Sequence, residues 1–254
     1  MAEPAQDLFS VKSELYARAR PTYPAALLRW IRGQAAGGGL CWDAGTGTGQ
    51  VARLAADHFD RVFATDLSAA QVSHALPVAN VTYAVEPAED SSLETHSVDA
   101  VTVGAAAHWL DLPSFYEEVR RVSRPGGILA LFSYGLNLDG ESQLQAVIDR
   151  YASTVLAPWW SERLALVASG YRPLVLPFEE LTVPSFTASS YGDLHALEDL
   201  LRTWSAAQQM AEATGGDPID AIRDELHAAW TSTAPARVPR TLRWPTFARV
   251  GRVP

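Results

Sequence analysis

Apolar and polar positions along the middle of the chain predict short strands separated by short helices. Leu40–Trp42 is an apolar run ending in Asp43, and Arg61–Thr65 is another ending in Asp66. Val81–Val85, Val98–Val103 and Ile128–Phe132 read the same way. Between these runs, Gln50–His58, Ser68–Ala75 and Ser114–Val122 carry helical spacing. Ser68 with Gln71, and Ser114 with Glu117, have capping-box spacing. Pro125-Gly126-Gly127 is a stop signal. Regular strand–helix alternation predicts an α/β, doubly wound and mostly parallel sheet with helices on both faces.

The pattern changes after Tyr134. Ser142–Leu156 reads as a helix, Pro158-Trp159-Trp160 as a break and Phe178–Phe186 as a strand. Leu194, Leu197, Leu201 and Trp204 recur at helical spacing, which reads as core packing. Gly215-Gly216-Asp217-Pro218 is a turn before a helix over Ile219–Trp230, and Arg240–Val253 has strand character. These signals predict one domain over 1–254, with an N-terminal helical arm over 1–35. A helical insertion over about 136–175 would cap the sheet's carboxyl edge.

Composition narrows the function. The net charge is −9 over 254 residues, with no Lys/Arg run, which argues against nucleic acid or an anionic membrane as partner. No apolar stretch reaches the ~20 residues of a spanning helix. The N-terminal residues carry acids rather than a signal-peptide pattern. The one cysteine, Cys41, excludes an intrachain disulfide and a cysteine zinc site. A cytoplasmic protein without a metal is the expectation. Lys12 is the only lysine, in a poor context for Schiff-base chemistry.

Asp43-Ala44-Gly45-Thr46-Gly47-Thr48-Gly49 directly follows the first strand and opens the first helix. Glycines permit the sharp turn and let a ligand approach bare backbone. Asp43 can accept hydrogen bonds from a ligand amine. Asp66 ends the second strand about 20 residues on, where an acid binds ribose hydroxyls in open α/β sheets. The spacing is G-x-G-x-G, not the dinucleotide fingerprint G-x-G-x-x-G.

These residues resemble the class I methyltransferases that use S-adenosyl-L-methionine (SAM). More narrowly they are similar to the type 11 group, including trans-aconitate methyltransferase-like proteins. The resemblance spans nearly the whole chain. It includes Tyr16, Arg20-Pro21-Thr22-Tyr23-Pro24, the Asp43–Gly49 loop, Asp66, Ala88-Glu89, Ser97-Val98-Asp99, His108-Trp109-Leu110-Asp111 and Arg121–Gly127. It implies a Rossmann-like seven-stranded sheet of order 3-2-1-4-5-7-6 with the last strand antiparallel. It also implies SAM as cofactor and S-adenosyl-L-homocysteine as product. By the same resemblance Gly45, Thr46, Gly47 and Gly49 line the methionine part, and Asp66 holds the ribose with Leu67 beside the adenine. Ala88 and Glu89 border the adenine, Gly104 to Ala106 face the sulfonium, and Tyr16 closes over the cofactor. Thr46 stands where the group often has Cys, Pro87 where it often has Asp or Asn, and Leu110 where an aromatic is frequent.

On the acceptor side, His108 follows the fourth strand and is the candidate general base, or else a hydrogen-bonded structural histidine. Arg20 could anchor a carboxylate, or pair at the surface to hold the arm. Tyr23, Trp109, Tyr134, Trp159 and Trp160 are candidate walls; two adjacent tryptophans cannot both face one side of regular structure. The expected reaction is methyl transfer to a small-molecule acceptor, with transfer to a carboxylate or hydroxyl oxygen favoured. A SAM-binding protein without methyl transfer remains open, as does a nicotinamide-dependent oxidoreductase, although no Tyr-x-x-x-Lys pair is present. Oligomeric state is not legible.

Overall fold

The computed structural model describes residues 20–254. Tyr16 and most of the expected arm lie outside these residues; within them, α1 runs Ala25–Gln34 behind Pro24. The core elements then follow as β1 (Leu40–Ala44), α2 (Gln50–Ala56), β2 (Arg61–Asp66), α3 (Ala69–Ser73), β3 (Val81–Val85), β4 (Val98–Gly104), α4 (Leu112–Val122) and β5 (Ser123–Tyr134). After β5 come α5 (Ser142–Arg150), α6 (Leu164–Ala168), β6 (Glu179–Glu180), β7 (Thr187–Gly192), α7 (Leu194–Arg202), α8 (Ser205–Thr214), α9 (Arg223–Thr231) and β8 (Arg240–Arg252).

The sheet runs β3-β2-β1-β4-β5-β8-β6. Its first five strands are parallel. β8 is antiparallel to β5, and β6 antiparallel to β8. This is the expected seven-strand order, with one added strand shifting the numbering. The addition is β7, which pairs with Arg240–Pro245, the first half of β8. The second half, Thr246–Arg252, pairs with β5. Pro245 sits where β8 changes partners; lacking an N–H, it suits a place where the ladder is handed over.

Alternation along the strands divides the core in two. Cys41, Ala100, Ile128, Ala130 and Phe132 face α1 and α2, in one cluster with the helices that follow β7. Trp42, Val101, Val103, Leu129 and Leu131 face Phe115, Val119 and Val122 of α4. Both faces are covered, so the strands are nearly continuously apolar, as parallel sheets require.

Several local expectations shift. Ser68 does cap α3, accepting from the Gln71 amide. Ser114 is not a cap: α4 begins two residues earlier behind Asp111, and the Ser114 hydroxyl donates to the Asp111 carboxylate. Pro125-Gly126-Gly127 lies inside β5, where the register against β4 shifts between Val98 and Ala100. Ser142–Leu156 is helical, continuing past Arg150 as a π-turn over Tyr151–Val155. The elements over the carboxyl edge comprise more than 136–175, because α7 and α8 also border the cavity described next.

Candidate active site

Nine stretches of chain meet at the carboxyl ends of the central strands around one cavity of about 630 Å³. The β1–α2 loop forms its floor. Gly45, Gly47 and Gly49 all have left-handed φ, at 68°, 57° and 79°. A Cβ on Gly45 would stand 2.7 Å from the Ala106 Cβ, and one on Gly49 would stand 2.5 Å from the Tyr83 hydroxyl. Gly45 and Gly47 line the cavity with Thr46; Gly49 does not and instead forms the N-terminal turn of α2. Its glycine is a packing and backbone requirement rather than a ligand contact.

Asp43 is buried at the end of β1 and accepts from Thr46 Oγ1 at 2.6 Å and Thr102 Oγ1 at 2.8 Å. Burial nevertheless pushes its carboxyl up to about 6. Asp66 is held at the end of β2, accepting from the amides of Gly47 at 2.8 Å and Ser68 at 2.9 Å. That brace turns it toward the cavity, which Leu67, Glu86 and Ala88 extend. Glu89 also lines the wall, and its side chain accepts from the Asp111 amide, tying the loop after β3 to the loop after β4. Gly104, Ala105 and Ala106 form the opposite side. Ala105 has φ of 53°, a strained value for a residue with a Cβ.

This half of the cavity fits SAM. Bare backbone faces a place for an aminoacyl tail, a buried carboxylate waits near it, and a second carboxylate stands where a ribose would lie. The Thr48 hydroxyl adds an independent sign: it lines the cavity, is buried and has no hydrogen-bond partner among the described residues. Thr48, Glu86 and the buried Gln71 were absent from the sequence expectation, although all three lie within a few residues of motifs that were read.

The acceptor half is built from distant segments. Thr22 exchanges backbone hydrogen bonds with Ser189 of β7, at 2.8 and 3.0 Å. That bridge lays Arg20 and Tyr23 over the cavity. Tyr23 packs edge-on against Phe132 at 4.9 Å. Arg20 donates to the Tyr134 hydroxyl at 3.2 Å and to the Thr203 carbonyl at 2.9 Å. Trp109 and Trp160 line the cavity, whereas Trp159 does not; Trp159 packs on the core beside it. Trp204, read from sequence as core packing alone, also lines the cavity, as do Leu200 and, from β8, Trp244.

His108 is at the wall, with Nδ1 3.2 Å from the Tyr171 hydroxyl. Burial, and then Arg20 and Arg163, pull its pKa from 6.5 down to about 3. The ring is therefore neutral at physiological pH but a weak proton acceptor. A base whose conjugate acid is that strong removes few protons from a neutral hydroxyl or amine. Of the two roles expected of His108, general base or hydrogen-bonded histidine, the lowered pKa favours hydrogen bonding. When the Tyr171 hydroxyl donates to Nδ1, the ring proton sits on Nε2, which can then donate.

Fold and site together define a class I α/β transferase with a nucleoside cofactor at the switch point of its sheet. Comparison with known proteins makes this specific. A family model described as a methyltransferase domain matches residues 42–131. A Dictyostelium discoideum protein named as a methyltransferase is 30% identical over 230 residues, 89% of this chain and 88% of that one. A solved structure from Anaeromyxobacter dehalogenans, described as a type II methyltransferase, is 42% identical with a TM-score of 0.82, covering 92% of this chain and 98% of that one. A Saccharomyces cerevisiae protein named as S-adenosylmethionine-dependent is 30% identical over 132 residues, 48% of this chain and 45% of that one. The chain belongs to the SAM-dependent methyltransferases, with the methyltransferase domain of the family model over residues 42–131. Among the described residues no helix is long and apolar enough to cross a membrane.

Proposed function

We propose that this methyltransferase modifies a carboxylate oxygen of a small molecule. The observation that carries the reading is the pairing of Arg20 with a buried, neutral His108 at one cavity wall. The cofactor supplies a sulfonium-activated methyl group that is displaced in line. A carboxylate attacks without losing a proton, so a weak base costs it nothing, whereas a phenol or amine would need one. A guanidinium can hold the carboxylate and align it. His108 Nε2–H adds a neutral donor to the same oxygen or its neighbour.

In this reading Asp43, Gly45, Thr46, Gly47, Asp66, Leu67, Ala88, Glu89, Gly104 and Ala105 form the cofactor half, with Tyr16 from the N-terminal segment. Arg20, Tyr23, His108, Trp109, Tyr134 and Trp160 belong to the acceptor half. The chain works as one domain whose segment 136–175 forms part of a cap. The buried free thiol of Cys41 fits a cytoplasmic setting.

The test is release of S-adenosylhomocysteine from a panel of carboxylates, phenols, amines and activated ring carbons, repeated with Arg20→Gln. Carboxylates should react. Arg20→Gln should raise the acceptor KM at least tenfold while S-adenosylhomocysteine affinity changes less than twofold. Turnover of amines or ring carbons alone would refute the reading, and a collapse of cofactor affinity would move Arg20 to the cofactor half.

A further inference from the structure

The acceptor half has a composition that the carboxylate reading does not require. Trp160 and Trp204 face each other with ring centroids 5.9 Å apart and planes 42° apart. Tyr134 and Trp244 form a second pair at 6.4 Å and 54°. All four line the cavity. The first pair comes from the elements over the carboxyl edge, the second from the sheet.

Three of the four polar ends on these walls are engaged within the protein. Trp160 Nε1 donates to the Ala152 carbonyl at 2.8 Å, and Trp244 Nε1 donates to Ser190 Oγ at 3.0 Å. The Tyr134 hydroxyl accepts from Arg20. The walls therefore offer ring surface more than donors. Such surfaces favour another flat ring, stacked or edge-on, over a saturated chain of equal size.

Charge narrows the choice further. Arg20 is the only arginine or lysine among the described residues lining the cavity. It is braced between the two walls, by Tyr134 of the sheet and by the carbonyl of Thr203, next to Trp204. The remaining charged lining residues are carboxylates, Asp43, Asp66, Glu86 and Glu89, and they stand on the cofactor side. One carboxylate has a cation to meet. A second or third would be placed against apolar rings, where an unpaired charge is costly.

Resting on the carboxylate reading, we propose that the acceptor is a flat aromatic monocarboxylate. Its ring lies between the Trp160–Trp204 and Tyr134–Trp244 pairs, and its carboxylate meets Arg20. The reaction balances simply: a carboxylate oxygen forms the new O–CH3 bond as the sulfonium S–CH3 bond breaks. The products are a neutral methyl ester and S-adenosylhomocysteine.

The experiment compares 1-naphthoate and indole-3-acetate with cyclohexanecarboxylate, decanoate and trans-aconitate. It reads S-adenosylhomocysteine release and, in parallel, quenching of tryptophan fluorescence on the S-adenosylhomocysteine-loaded protein. The aromatic acids should show a kcat/KM at least tenfold above the saturated acids and trans-aconitate. Trp204→Ala should lower that value at least tenfold through KM, with Trp204→Phe restoring most of it and cofactor affinity unchanged. Trp204 is buried, so Trp160→Leu at the half-buried side of the pair repeats the measurement. Equal or better use of saturated acids or trans-aconitate overturns this inference and leaves carboxylate methylation standing. Turnover of phenols or amines alone overturns both. Failure of the aromatic acids both to react and to bind overturns the inference.

Discussion

Two buried ionisable residues at the site are pushed in opposite directions, and the sign of each matters. His108 is held neutral because a second positive charge beside Arg20 and Arg163 would be buried without a partner. The folded state rejects its proton, so this contribution to stability is present above about pH 6.5 and is lost as pH falls toward 3. Asp43 is the converse. Its raised folded value, about 6 against 3.8, means the folded state holds the proton more tightly than the unfolded chain. That contribution declines as pH rises from about 4 through 6, and the ionised carboxylate then costs about 3 kcal/mol. A cation against Asp43 would offset this cost. Binding of S-adenosylhomocysteine, which carries an ammonium group, is therefore expected to strengthen between pH 5 and 7 and to expel a proton below pH 6. Calorimetry at pH 5.5 in two buffers of different ionisation enthalpy should give different heats, and Asp43→Asn should remove the difference. Equal heats for the unmodified protein would show that Asp43 does not meet the ammonium.

At the scale of elements, a backbone bridge helps to place Arg20. Thr22 and Ser189 exchange two hydrogen bonds, an isolated bridge that ties the segment from Arg20 to Tyr23 to β7. β7 in turn exists because β8 is longer than β5 and its first half needs a partner. Thr22→Pro removes one donor from this bridge, a loss of about 1 kcal/mol. The expected outcome is a small fall in melting temperature, a severalfold or greater rise in acceptor KM and unchanged cofactor affinity. Thr22→Ala keeps the backbone bonds and should behave as the unmodified protein; an equal effect of both substitutions would assign the role to the side chain. None of this was legible in advance, because Thr187–Gly192 is a polar run, TASSYG, with no apolar alternation. Phe178–Phe186 carried the stronger strand signal, yet of it only Glu179–Glu180, the Leu181 amide and the Phe186 carbonyl bond to the β8 backbone. The strands β1, β4 and β5 were legible because both faces of each are covered, which writes an apolar run into the sequence; β2 and β3, less buried, were legible from their β-branched and aromatic residues. The cofactor half was legible for a related reason: its residues lie at strand ends and in the loops beside them. The acceptor half gathers Arg20, Tyr134, Trp160, Trp204 and Trp244 from five separate segments. Trp204, at helical spacing from Leu197 and Leu201, has the pattern of a core residue and is also one.

At the scale of the whole molecule, the helices that complete the acceptor half are joined by charge as well as by packing. Arg202 of α7 reaches Glu198 at 3.2 Å, Asp199 at 3.1 Å and Asp217 at 2.9 Å. Arg223 of α9 reaches Glu198, Asp217 and Asp220. The network binds α7, α9 and the turn between them, one residue away from the Thr203 carbonyl that braces Arg20. Glu198 is largely buried and Asp217 about a third exposed, so these pairs lie between the surface and buried extremes. Arg202→Met keeps much of the apolar stem but takes one guanidinium from three carboxylates, of which Glu198 and Asp217 retain Arg223. The expected cost is about 2 kcal/mol, above the ~0–1 of an exposed pair and below the ~3–5 of breaking a fully buried one. Its distribution matters more than its size. Regions with few bonds to the central sheet can open locally while the core remains closed. Hydrogen exchange in Arg202→Met should accelerate across residues 194–231 and leave β1, β4 and β5 as protected as before. The acceptor KM should rise with it, because Trp204 and the Thr203 carbonyl lose their fixed position, while S-adenosylhomocysteine should bind as tightly as before. Loss of protection spread evenly over the central strands would instead mean that sheet and acceptor wall open as one unit, and the acceptor half could then not be loosened without the cofactor half.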